Sequence, residues 1–346
     1  MAYTTINKST DNFNTLNYTG GSGDTAHTGV GFQPDLVWIK ERTRARNHAW
    51  FDVIRGSRYW IGSNSADAQD YNSGAYLVSL DSDGFTTTDT DVVGKNGYTY
   101  ASWNWKAGGT GSANSDGATA STVSVNNTAG FSIVKWTGTS GNTTVGHGMN
   151  TAPVFTIVKN LDANGQNWIV YHKDISPSHA VKLNTTAAKD DGNNYWQSTA
   201  PTNSVLTFTG NTASNSNGNN MIAYCFSEKT GFSKFGSYAP NGNADGNFIY
   251  LGFAPAFFLI KNTNTTRNWL IFDNKRNTSN ETTKSLEPNT SDAEQTDSNL
   301  KLDFLSNGVK LRGIGGDMNT GDGVQYIYMA FGQSLVGSNN VPCTAR

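Results

Sequence analysis

PDLVWIK, residues 34–40, returns as PVFTIVK at 153–159 and PAFFLIK at 255–261, and that return decides how the chain is read. Each copy places a proline before a run of apolar residues and a lysine six positions after the proline, so Lys40, Lys159 and Lys261 are equivalent. Proline at the head of a strand sacrifices no ladder bond, and a run that is apolar on successive positions suits a strand covered on both faces. One such stretch is only a strand. Three, spaced roughly a hundred residues apart, are an internal repeat.

The correspondence extends outward. Asn47, Asn167 and Asn268 introduce HAWFD, WIVYH and WLIFD, which end at Asp52, His172 and Asp273. Asn64, Asn184 and Asn289 each open a polar turn, where a side chain that caps its own backbone and tolerates left-handed geometry is expected. Upstream, FNTLNYTGGSG from Phe13 matches FSIVKWTGTSG from Phe131 and, more faintly, FSKFGSY from Phe232; YASWNW, MIAYCF and YMAF close the copies. The units are 13–105, 131–226 and 232–331, flanked by an N-terminal arm (1–12) and a C-terminal tail (332–346). A Gly/Ser/Thr-rich stretch at 106–130 reads as a linker or a β-arm. Only SEKTG separates the second unit from the third, which predicts a rigid junction there and a freer first unit.

Composition agrees with an all-β chain. There are 37 Gly against 8 Pro, aromatics reach 12%, and Asn, Thr and Ser crowd the segments between apolar runs, as turns between short strands require. No apolar stripe of helical period persists for three turns. Turn signals every 8 to 15 residues or so predict three tandem β-sandwich units of jelly-roll or lectin-like type. The net charge of −2 provides no field that would gather nucleic acid or anionic lipid, and no stretch approaches the roughly 18 apolar residues of a membrane span. MAYTTINKST lacks the apolar centre of a signal peptide, so a soluble protein made in a cytoplasm is expected. Cys225 and Cys343 form neither a metal spacing nor a disulfide framework.

The candidate binding surface comprises Lys40, Lys159 and Lys261, which could present three ammonium groups on one face, and the first unit's Arg42, Arg44 and Arg46. The bland alternative makes the lysines strand ends that satisfy a carbonyl, and the arginines a solvated hairpin, since the second and third units fill that loop with LDANGQ and NTNTTR. DSDG at 81–84 and NGNADG at 241–246 are oxygen-rich but read as turns. The five histidines share no repeated position, and no nucleophile, acid pair or metal set travels through the copies, so no catalytic residue and no cofactor is assigned. Asp52 or Asp273 could supply one of the two carboxylates that a glycan hydrolase needs. Trp103 and Trp105, two apart, share a face expected to be buried.

MAYTTINKSTDNFNTLNYTG at the start, GFQPDLVWIK, NTAGFSIVKWTGT, DFLSNGVKLR and the final VPCTAR together resemble a family of repeat proteins encoded by tailed bacteriophages. The resemblance covers nearly the whole chain. It implies a protein of the virion or its tail, built of lectin-like β-sandwich repeats, with no catalytic residue to carry over. SWNW in the first unit departs from the pattern, where a small residue or cysteine is expected between the aromatics. The expected function is therefore a non-enzymatic structural or surface protein of the particle, on capsid, neck or tail, with other virion proteins as partners. A lectin for host surface glycan and a glycan depolymerase are the alternatives, and self-association into a homo-oligomer stays open.

Overall fold

The three apolar runs each become the inner strand of an antiparallel sheet, because residues apolar on both sides must be covered on both sides. A computed structural model describes residues 4–74, 76–190, 195–321 and 323–334; Cys343 and the VPCTAR motif lie outside them. The chain is all-β, with 2% helix and 41% strand.

The first large sheet orders its strands Phe13–Thr19, Thr99–Trp105, Leu36–Glu41, Ala49–Asp52. The third repeats that order as Ser233–Tyr238, Tyr326–Gly332, Pro255–Asn262, Trp269–Asp273. The second repeats it as Phe131–Thr137, Asn220–Phe226, Phe155–Asn160, Ile169–His172, and adds strands at both edges. Registers coincide as well. Phe13 and Leu36 flank Trp105, Phe131 and Phe155 flank Phe226, and Ser233 and Phe257 flank Phe331. Ser233, not Phe232, thus takes the place of Phe13 and Phe131; matching the phenylalanines by sequence sets the third strand one residue out of register.

Alternation divides each strand between two cores. One face of every large sheet contributes to a common core containing Phe13, Trp38, Trp50, Trp103, Trp105, Phe155, Trp168, Tyr224, Phe257, Trp269 and Phe331, all essentially inaccessible. The opposite face packs, sandwich-like, on a smaller sheet: Thr25–Thr28, Gly84–Thr87 and Leu77–Asp81 over the first; Thr143–Gly146 and Val205–Phe208 over the second; Phe248–Tyr250, Gly308–Leu311 and Leu302–Leu305 over the third. The expected freedom of the first set is not found. Trp38, Trp50, Trp103 and Trp105 lie in the common core, where Trp50 meets Trp168 and Tyr224 of the second set at ring-centroid distances of 5.2 and 5.0 Å.

The stretch 106–130 is not a slack linker. Ser112–Asn114 and Ser121–Asn126 form strands, and the latter pairs with Phe131–Trp136 through Asn126, Ser124 and Thr122 opposite Phe131, Ile133 and Lys135. Val123 and Val125 turn toward the second set's outer core, which gives this polar arm its apolar anchor.

Candidate interaction surface

Lys40, Lys159 and Lys261 are not on the surface; all three are fully buried. The Lys159 ammonium donates to the carbonyls of Ala66 (3.0 Å) and Gln166 (2.6 Å), and that of Lys261 to those of Thr186 (3.0 Å) and Arg267 (2.6 Å). Lys40 donates to the Glu41 carbonyl at 2.7 Å and feels the charge of Asp292. Burial lowers Lys40 and Lys159 to about 8 and Lys261 to about 7. A lysine at the end of an inner strand lies beneath the neighbouring sheet, so its head group is satisfied by backbone carbonyls and is withheld from any partner.

These contacts belong to a closed circuit. From the second set, Lys159 and the Trp168 indole N–H (to the Gly62 carbonyl, 2.9 Å) reach the first. From the third, Lys261 and the Trp269 indole (to the Lys182 carbonyl, 2.9 Å) reach the second. From the first, His48, in the position of Trp168 and Trp269, donates to the Glu287 carbonyl of the third at 3.0 Å. Its Nδ1 accepts the Trp38 indole N–H at 2.8 Å, which fixes the proton on Nε2, and burial holds the ring neutral. Backbone bonds follow the same circuit: Gln69 N–H to Leu161, Lys189 N–H to Thr263, Glu294 N–H to Arg42.

Asn64, Asn184 and Asn289 make one arrangement three times. Each side-chain oxygen accepts the N–H of His48, Trp168 or Trp269 (3.0, 3.0 and 2.8 Å), and each amide donates to Asn47, Asn167 or Asn268 (2.9, 2.9 and 2.8 Å). None has a positive φ, so the residue returns for its two-sided amide and not for left-handed backbone.

The two carboxylates considered for catalysis are structural. Asp52 accepts the backbone N–H groups of Ile54 and Arg55, the Arg55 guanidinium and the Tyr224 hydroxyl (2.8 Å). Asp273 likewise accepts from Lys275, Arg276 and the Trp103 indole (3.2 Å). In the second set the acid is His172, the arginine is Ile175, and Met329 stands where Trp103 and Tyr224 stand. The three differences go together: a methionine cannot donate to a carboxylate, and an acid without its arginine would be a bare buried charge. Burial lowers His172 to about 4, and its Nδ1 accepts the Asp174 N–H.

The basic segment is also engaged. Arg42 makes a paired contact with Glu294 of the third set (2.9 and 2.8 Å), Arg44 binds Glu41 and Asp91, and Arg46 binds Asp91. DSDG and NGNADG are turns: Asp83 accepts the N–H of Gly29 and Gly31, while Asn241 and Asn243 cap their own loop. Among the described residues no three His, Cys, Asp or Glu side chains are placed to hold a metal ion, and no helix is long and apolar enough to cross a membrane.

What remains for a partner lies elsewhere. Phe248 and Tyr250 project from an outer strand, 44% and 57% exposed, and Tyr250 borders a concavity of about 420 Å³ with Glu228, Lys234, Leu251 and Gly252. The Lys234 ammonium stands 5.1 Å from the Tyr250 ring centre, and Glu228 pairs with Lys173 at 2.7 Å. This wall offers an aromatic face, one cation and one anion.

A family model described as a domain of unknown function (DUF7483) matches residues 8–334. The chain belongs to this family. Comparison with curated proteins and with solved structures finds no match. The DUF7483 match runs unbroken through all three strand sets and the arm, consistent with a body whose sets share one core. Sequence reasoning missed Tyr250 because an exposed aromatic on a short strand looks like any buried one. It aligned His48 with Trp168 and Trp269 but missed their shared role as donors, because histidine and tryptophan share little except one ring N–H.

Proposed function

We propose that this DUF7483 chain is a non-enzymatic structural or surface protein of a tailed-phage particle, formed from three β-sandwich repeats fused into one body and acting by docking. The observation that carries the reading is the use made of the repeated polar positions. In each set a ring N–H of tryptophan or histidine, joined in two sets by the lysine, reaches another set, and the repeated asparagine holds that ring's backbone in place, so selection for the repeat is selection for a rigid platform. The resemblance of the separated motifs to phage repeat proteins supplies the particle, and other virion proteins are then the partners. Purified virions labelled with antibody to the recombinant chain test this: labelling is expected, and absence from the virion contradicts it.

Recognition of host surface glycan is the second reading, favoured by Phe248 and Tyr250 beside a polar concavity, since aromatic faces stack on sugar rings. Host polysaccharide retained by the chain, and lost with Tyr250→Ala, would support it. Release of reducing ends during that incubation would instead reveal a depolymerase.

A further inference from the structure

Among the described residues, the arm that caps the second sheet has no counterpart on the third. In Phe131–Thr137 the residues whose backbone groups face the free side are Phe131, Ile133 and Lys135, and the arm supplies Asn126, Ser124 and Thr122 opposite them. The matching strand, Ser233–Tyr238, uses Ser233, Phe235 and Ser237. Ser233 exchanges two backbone bonds with Lys229 (2.9 and 3.3 Å), so Lys229 holds the place of Asn126. There the chain leaves the edge, and among the described residues no strand lies beyond Phe235 and Ser237 on that side.

The floor is alike in both sets. Counting from the paired residues Val145–Leu206 and Ile249–Val309, Gly148 and Gly252 occupy one place. Against Gly148 the arm rests Val123 and Val125: a Cβ on that glycine would lie 3.0 Å from the former and 3.5 Å from the latter. Gly252 lines the concavity, with Tyr250 at its side where the second set has Gly146. An edge with unused donors and acceptors beside an exposed aromatic is what proteins normally cover.

We propose that the outer edge of Ser233–Tyr238 is an acceptor for a strand from another protein, an extended segment with β-branched apolar residues at alternate positions and small polar residues between, seated as Ser121–Asn126 is seated on the second sheet. Its backbone pairs with Phe235 and Ser237, and its apolar side chains enter the concavity over Gly252 and against Tyr250. The proposal rests on the docking reading above; virion labelling tests that reading, whereas strand capture tests this one.

The probe is a peptide of residues 119–127, TASTVSVNN, added to the full chain at millimolar concentration, the affinity range of a short added strand, about 4 kcal/mol. With peptide at about ten times that millimolar Kd, amide exchange at Phe235 and Ser237 is expected to slow about tenfold, while exchange at Ile133 and Lys135, already paired, does not change. A peptide with aspartate for both valines, and the chain variant Ser237→Pro, should each remove the effect; the altered peptide leaves the chain's fold untouched. No slowing at Phe235 and Ser237, slowing instead at Thr15 and Asn17 on the first sheet's edge strand Phe13–Thr19, or protection that grows with chain concentration in the absence of peptide would each overturn the proposal, the last by showing that a second copy takes the edge.

Discussion

A buried lysine here is a fastener. Lys159→Met would leave two carbonyls without a donor and should cost about 2 to 4 kcal/mol, measured as a shift of the urea midpoint. Arg46→Ala removes an exposed ion pair and should stay within about 0.5 kcal/mol. The lysines also impose a pH dependence. They titrate at about 7 to 8 when folded and near 10.4 when unfolded. Between those values the unfolded chain keeps protons that the folded chain has released, so stability should rise with pH over about 7.5 to 9. Above that, Cys225, raised to about 12 by burial, acts in the opposite direction. Lys261→Met should reduce the rise; a slope unchanged by that variant would show that other groups cause it.

At the scale of the element, the three asparagine brackets are interchangeable parts. Asn64→Ala, Asn184→Ala and Asn289→Ala each lose the same two bonds, so each should destabilise by about 2 kcal/mol. A spread of several kcal/mol among them would mean that the sites are not equivalent. Strand content, the inner runs and these asparagines were legible in the sequence because each follows from a period or a repeated spacing. The fate of the repeated lysines was not, because a strand end that reaches solvent and one that slides under a neighbouring sheet share one sequence pattern. The arm was ambiguous for a related reason: two valines among serines and threonines make a strand only when an edge is there to receive them. The third set's first strand misled by one residue because Phe232 and Ser233 exchange the expected order of large and small.

For the whole molecule, the circuit of bonds and the common core make the three sets depend on one another. Each set leaves one face of its large sheet bare if isolated, with tryptophans and phenylalanines uncovered. Residues 13–105 alone should therefore fail to fold, whereas the same stretch as a free-standing sandwich would give dispersed amide resonances. Calorimetric unfolding of the full chain tests the central claim most directly. One transition is expected, with the calorimetric enthalpy equal to the van't Hoff enthalpy, as a single cooperative body requires. Separate transitions for individual strand sets would contradict it.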